Sequence, residues 1–208
     1  MLVARVLAVL VSLIWLAAPG SPAWGTLTGL NQVPTPDIQP AGLLSVTAQD
    51  ENDGIDSPRQ VQLELGLSDS CAIGVFQGVS PAKTVLNAQV ALVSRRRFLV
   101  SAGVLGTERS SRYLPFIEAG YYIGDTQYTA GVLRQDAGHF GFVGVSHRFN
   151  DRLLVIADYI SGSESFSTVG VLYYLTPTLS FNPALYVSNA SPRRLYVYAS
   201  LTWDVRLW

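Results

Sequence analysis

The sequence predicts an all-β chain closed into a single antiparallel, up-and-down transmembrane barrel of about 12 strands, on three observations. First, the last segment splits by parity: Leu195, Val197, Ala199, Leu201, Trp203, Val205 and Leu207 are apolar, whereas Tyr196, Tyr198, Ser200, Thr202, Asp204 and Arg206 carry polar groups. Successive strand side chains point to opposite faces, so this is one strand with an apolar and a polar side. Second, that strand is long, and a tilted membrane strand needs about 9–11 residues, against a mode of about 5–6 in globular sheets. Third, the same alternation recurs from Leu43 onward, with a turn signal about every dozen residues.

The amino terminus bears on location. Arg5 supplies a short positive region, Val6 to Ala18 is an apolar run, and Ala23-Trp24-Gly25 offers small residues where a signal peptidase reads. Residues 1–25 are therefore expected to be a signal peptide, with the mature chain starting near Thr26. A membrane anchor is the alternative, but the run is shorter than the about 20 residues a spanning helix needs. No other stretch is long and apolar enough to span as a helix, so an exported chain that crosses a membrane must do so as a barrel. The expected location is the outer membrane of a Gram-negative-type bacterium.

Composition fits this class and excludes others. The formal net charge is −1, charged residues make up 14%, and the only lysine is Lys83. No basic patch argues for nucleic acid as a partner. The lone Cys71 cannot form an internal disulfide and is too far from the signal to be a lipoprotein anchor, so it is read as a small strand residue rather than a reactive thiol.

Between the signal and the first strand, residues 26–42 hold Pro34, Pro36 and Pro40. Prolines at that density exclude helix and weaken strand, so the segment is expected to be an extended periplasmic lead-in. Gly29-Leu30, Val33-Pro34-Thr35 and then Gly42 opening a strand resemble the mature start of bacterial outer-membrane β-barrels of the kind associated with exopolysaccharide export. That resemblance covers the lead-in only. It implies an outer-membrane, porin-like barrel with a possible periplasmic export partner, and is silent on cargo.

The barrel is expected over residues 43–208. Leu44 to Gln49 alternates, and the second strand sets Val61, Leu63, Leu65 and Leu67 against Gln60, Gln62, Glu64 and Gly66. Cys71 to Gln77 and Lys83 to Val93 follow, the latter showing Leu86, Ala88, Val90 and Leu92 on one face and Asn87 and Gln89 on the other. After Arg95 to Arg97, a solvated turn or else a site for phosphate-bearing lipid headgroups, a strand runs to Gly106, and others span Arg112 to Ile123 and Thr126 to Gln135. Asp136 to His139 reads as a loop. Phe140 to Phe149 and Arg152 to Ile160 are poorly phased strands joined at Asn150-Asp151. A tenth strand ends at Leu175, an eleventh runs from Thr178 to Ser188 with Pro183 interrupting it, and Leu195 opens the closing strand.

The tightest connections follow even-numbered strands, as short periplasmic turns do when both termini are periplasmic. On the outward phase Tyr121, Tyr128, Phe149, Tyr173 and Trp203 fall toward the turn ends, and Tyr113 and Tyr159 toward the loop ends, as two interfacial girdles would. Trp208 could serve as the terminal aromatic that barrel-insertion machinery reads, although it lies on the polar phase.

With outer-membrane lipid outside, the inward set is the lumen. Its candidate lining residues are Gln60, Gln62, Glu64, Asn87, Gln89, Glu118, Asp158, Asn182, Tyr196, Thr202, Asp204 and Arg206, with Ser45, Thr47, Ser101, Gln127, Thr129, Thr168, Ser180, Tyr198 and Ser200 on the same phase. Eight strands are filled by their own side chains and sixteen or more leave a channel, so about 12 predicts a narrow, wet pore. Glu64, Glu118, Asp158 and Asp204 against Arg97 and Arg206 could bias it toward cations, though an ion pair of Asp204 and Arg206 bracing the wall is the readier role for those two.

An enzyme is not expected. Ser146 and His147 are neighbours on a strand and point to opposite faces, His139 with Asp136 sits in a loop, and no spacing suggests a metal site, a phosphate loop or a cofactor. The expected function is thus a narrow porin-like channel or the outer-membrane component of an envelope polysaccharide export system. The alternatives are a structural barrel with a filled lumen, docking a periplasmic partner through residues 26–42, and a lipid-modifying enzyme.

Overall fold

Strands that are apolar on one side and polar on the other must cover their edges as well as their faces, and closing the sheet on itself removes the edges. This chain does so. The computed structural model describes residues 29–51, 59–79, 82–106, 113–135, 138–163 and 165–208; the expected signal peptide at 1–25 lies outside them, as does the side chain of Tyr113. The strands are β1 (Leu43–Glu51), β2 (Arg59–Ser68), β3 (Cys71–Val79), β4 (Ala82–Arg95), β5 (Phe98–Gly106), β6 (Tyr113–Ile123), β7 (Thr126–Gln135), β8 (Gly138–Asn150), β9 (Leu153–Ile160), β10 (Phe166–Thr176), β11 (Leu179–Ser188) and β12 (Leu195–Arg206). Each pairs antiparallel with its sequence neighbours, and β1 pairs with β12 from Leu43↔Arg206 to Glu51↔Tyr198, which closes the barrel.

Every connection after an even-numbered strand is a two-residue turn, at 69–70, 96–97, 124–125, 151–152 and 177–178. The longer links, at 52–58, 107–112, 161–165 and 189–194, all follow odd-numbered strands, so the barrel has a turn end and a loop end. β8 begins at Gly138, which puts His139 in the ladder opposite Arg134 instead of in a loop. Pro183 stays inside β11: it keeps its register with Ala199 of β12, while the pairing with β10 breaks between Gly170↔Ala184 and Tyr173↔Phe181, as expected of a residue with no N–H to donate.

The apolar phase faces outward. Leu63, Val90, Ile117, Val132, Val169 and Leu201 are exposed, whereas Gln62, Gln89, Glu118 and Thr202 are buried. Tyr121, Tyr128, Phe149 and Tyr173 are exposed near the turn end and Tyr159 near the loop end. Trp203 departs from this pattern. It shares the outward phase but is only 7% exposed, flanked by its register partners Val46 and Leu179. Beyond β12, Leu207 donates its N–H to the Gly42 carbonyl at 2.7 Å, and Trp208 stays largely exposed.

The interior is less uniformly polar than the alternation implied. Phe116, Leu133 and Phe142 point inward and pack with Val33 as a buried cluster. Phe116 faces its register partner Gly103, and Phe142 faces Gly131; a β-carbon on either glycine would run into the ring opposite. Each aromatic ring thus covers the backbone of a neighbouring strand that has no side chain to cover itself.

Candidate functional site

The lead-in does not hang outside the barrel. Gly42, at φ 73°, turns the chain away from β1, and residues 29–41 run through the lumen. Extended backbone presents N–H and C=O groups that must be paired wherever water is excluded, and the inward polar side chains of the wall supply the partners. This corrects the expectation of a periplasmic segment: the prolines do keep it extended, but the inner wall offers it both space and hydrogen bonds.

Three clusters hold it, one above another. Nearest the turn end, Asp37 accepts hydrogen bonds from Tyr122 Oη at 2.6 Å and from the Gln127 amide. On the same level Gln39 donates to Ser45 Oγ at 2.6 Å, and Ser45 donates to Asp204 Oδ1 at 2.5 Å. Midway, the Gln89 amide nitrogen donates to the Thr35 carbonyl at 2.6 Å and to Glu118 Oε1 at 3.1 Å, which also accepts from Ser101 Oγ at 2.8 Å. Deepest, Asp158 Oδ2 accepts the backbone N–H groups of Asn31 at 2.8 Å and Gln32 at 3.1 Å, and Asp158 Oδ1 accepts from Thr168. Tyr186 Oη donates to the Asn31 carbonyl at 2.6 Å, and Leu30 N–H closes a tight turn on the Val33 carbonyl at 2.8 Å.

Four glycines make room for this path. A β-carbon on Gly66 would strike the Gln39 and Pro40 carbonyls, on Gly120 the Pro36 ring, on Gly144 the Leu30 side chain, and on Gly170 the Asn31 amide. All four lie on the inward phase of β2, β6, β8 and β10, next to Glu64, Glu118, Ser146 and Thr168. They are the signal that sequence reasoning missed, because strand glycines scattered through a chain look like turn and bulge residues.

Most of the sequence-selected residues face this interior. Gln62, Glu64, Gln89, Glu118, Asp158, Asn182, Thr202 and Asp204 are buried, and Gln60, Asn87 and Tyr196 are half-buried. Thr202 pairs with Thr47 across the β1–β12 seam at 2.9 Å, Gln60 accepts from Gln49 at 2.8 Å, and Asn87 accepts the Gly106 N–H at 2.8 Å. Arg206 differs. It is exposed at the rim and donates to the Ala41 carbonyl, so the expected ion pair with Asp204 does not form; Ser45 occupies the carboxylate instead. Arg97, in the turn at 96–97, is exposed as well. Ser146 is buried and His147 exposed, on opposite faces of β8, with Thr126 Oγ1 at 2.8 Å from His147 Nδ1.

Two cavities flank the lead-in among the described residues. One of about 460 Å³ lies toward the turn end, bordered by Asp37, Tyr122, Arg148 and Asn182; the other, of about 440 Å³, opens toward the loop end, bordered by Gln60, Gln62, Phe166 and Tyr198. The segment from Gly29 to Leu30 borders both, so it stands between them.

A closed twelve-stranded antiparallel barrel with an apolar outside and a largely polar inside is the fold of outer-membrane porins. NanC porin matches it with a TM-score of 0.58 and 11% identity, over 78% of this chain and 100% of its own. KdgM porin matches with 0.55 and 14%, over 76% and 98%, and KdgM in complex with disordered oligogalacturonate with 0.55 and 11%, over 77% and 98%. At such identities the likeness is one of fold, and it reaches the porin barrel but not exopolysaccharide export. No protein-family model matches the chain, and no curated protein matches it in sequence.

Proposed function

We propose that this chain is a narrow outer-membrane channel for small polar solutes, closed at rest by its own residues 29–41. The observation that carries the reading is the way the lead-in is held: Tyr122, Gln89 and Tyr186 donate side-chain hydrogen bonds to it and Asp158 accepts from its backbone, between two cavities that approach it from opposite ends. Such bonds are individually worth about 0.5–1.5 kcal/mol net, and about 1.5–3 kcal/mol where a carboxylate such as Asp37 or Asp158 accepts, because water replaces them when they break. Leaving the lumen also uncovers the apolar contacts that Val33 and Leu30 make with Phe116, Leu133 and Phe142, so the resting state is the closed one.

The porin fold of NanC and KdgM supports an outer-membrane location, and the solute class of one of them, an oligogalacturonate, suggests oligosaccharide-sized cargo. In this reading membrane lipid meets the exposed apolar band, and the barrel-insertion machinery meets the exposed end at Leu207 and Trp208. A role in envelope polysaccharide export rests on the Gly29-Leu30 and Val33-Pro34-Thr35 pattern alone, and those residues are engaged inside the barrel.

A second reading, a permanently filled structural barrel, draws on the same lead-in. Planar-bilayer recording on the refolded full chain separates the two. The channel reading expects discrete openings that become longer when Asp37→Ala and Asp158→Ala are combined. A barrel that passes no current in either form is the structural one.

A further inference from the structure

We propose that the hairpin of β4 and β5 carries a docking site for an anionic glycerophospholipid, whose phosphate is held by Arg95, Arg96 and Arg97 at the turn end of the barrel. The site lies on the outer surface, and it stands or falls independently of whether the barrel conducts.

The three arginines are consecutive, the last residue of β4 and both residues of the turn at 96–97, and all are exposed. Among the described residues none of them has a carboxylate within ion-pair distance; the pair that does form, Arg59 with Asp50, is at the loop end. The other two-residue turns read Asp69-Ser70, Gly124-Asp125, Asp151-Arg152 and Pro177-Thr178, so no other turn is net positive. Three like charges held this close repel one another, and a shared anion is what relieves them.

Register fixes their height and direction. Arg95 pairs with Phe98, Phe98 with Tyr121 and Tyr121 with Tyr128, and directly opposed residues of antiparallel strands share a face. Phe98, Tyr121 and Tyr128 are exposed on the lipid side, so Arg95 stands in one outward row with rings of the interfacial girdle, where hydrocarbon gives way to headgroups. Arg96 and Arg97 follow it one step further out. The strand on the other side stops short: Cys71, the first residue of β3, pairs with Val90, and Ser70 reaches only to the Ala91 N–H. Leu92 to Arg95 therefore rise past their neighbour as an open flank, with Leu92 exposed below the arginines.

Chemistry selects the occupant. A guanidinium is always charged, and its fork matches two oxygens of a phosphate. A zwitterionic headgroup brings a cation of its own toward three arginines and an anionic one does not, which sets the preference. A soluble polyanion would meet the same charges but leave the row of rings unused, whereas a phosphate carrying acyl chains engages Arg95 together with Phe98 and Tyr121. In the outer-membrane reading short turns are periplasmic, so the lipid comes from the periplasmic leaflet.

The test places the refolded full chain in phosphatidylcholine vesicles that contain a minor fraction of phosphatidylglycerol or of phosphatidylcholine, each with a photoactivatable diazirine near the top of one acyl chain, and maps the cross-linked peptides by mass. The anionic probe is expected to label residues 92–98 and 121–123 at least about tenfold more than the zwitterionic one, since each arginine near anionic lipid is worth about fivefold. Residues around Phe149 and Tyr173, outward rings at the same end beside net-neutral turns, should show no such preference. Combining Arg95→Gln, Arg96→Gln and Arg97→Gln should abolish it, with heat-modified gel mobility confirming a folded barrel. Soluble glycerol phosphate, at the same bulk concentration as the probe lipid, should leave the labelling unchanged; equal competition would make this a site for free anions and overturn the lipid. Equal labelling by the two probes, a preference spread evenly around the barrel, or one that survives the triple substitution overturns it as well. Selective labelling of a barrel that never conducts leaves the site standing and removes the channel; a conducting barrel with no selective labelling does the reverse.

Discussion

Asp158, on β9, takes the backbone N–H of Asn31 at 2.8 Å, so a carboxylate of the wall is the acceptor for a segment that precedes the whole barrel in sequence. The same oxygen takes the Gln32 N–H, and the other oxygen takes the Thr168 hydroxyl. Asp158→Ala strips all three donors of their acceptor at once, and each buried donor left without a partner costs about 1–3 kcal/mol. The expected result is a lead-in that spends more time outside: longer channel openings, and faster protease cleavage between residues 29 and 42. Asp158→Asn keeps one acceptor oxygen and should fall between. An alanine variant with wild-type openings and wild-type protection would show that the carboxylate holds nothing.

Gly120→Val tests the same displacement without removing any hydrogen bond. A β-carbon there would come 2.5 Å from Pro36 Cγ, well inside van der Waals contact. Overpacking of this kind costs about 1–3 kcal/mol, and the strain is relieved most easily by moving the lead-in, because the wall is fixed by its ladders with β5 and β7. Raised conductance with unchanged barrel content by circular dichroism is expected. Loss of the barrel itself would mean that the lead-in is needed for closure.

The outward phase makes a prediction about depth. Leu201, in the middle of β12, faces outward, and Leu201→Arg at mid-membrane should cost about 2–4 kcal/mol of folding stability in lipid vesicles. Leu207→Arg, beyond the strand end, should cost about 0–1 kcal/mol. Equal costs at the two sites in a urea titration would contradict a lipid-facing band.

Phe142→Ala should be the more costly of two aromatic truncations on β8. Its ring is buried against Gly131 and the Val33 cluster, and removing such a ring costs about 3–5 kcal/mol, whereas Phe149 is 63% exposed on the outside. Denaturant midpoints of the two variants, compared with the parent, check the order.

Parity was enough to read the wall. Leu195 to Arg206 separates into two faces in the sequence and in the barrel, and Gln62, Gln89, Glu118 and Thr202 turn inward because their neighbours Leu63, Val90, Ile117 and Leu201 are apolar. Parity fails on β9, where Leu153, Leu154, Val155 and Ile156 are apolar in succession; Ile156 is buried inside although its residue type would suit lipid. Trp203 fails for a related reason, since its burial depends on cross-strand neighbours that no local window contains. The site was harder still. Pro34, Pro36 and Pro40 announce an extended segment, but its route depends on gaps at Gly66, Gly120, Gly144 and Gly170, on strands far apart in sequence that only closure brings around one axis.

The bend at Gly42 has a consequence for control. It fixes one end of the lead-in at the mouth with the two-residue turns, beside the last residues of β12. Drawn out straight at roughly 3.3–3.6 Å per residue, positions 29–41 would reach past the about 30 Å of a hydrocarbon core, so nothing in the tether's length keeps them in place. The proposed stopper is therefore leashed on one side of the membrane and touched from the other, because its far end, Gly29 to Pro34, borders the cavity that opens toward the loop end, and a solute arriving there meets it first.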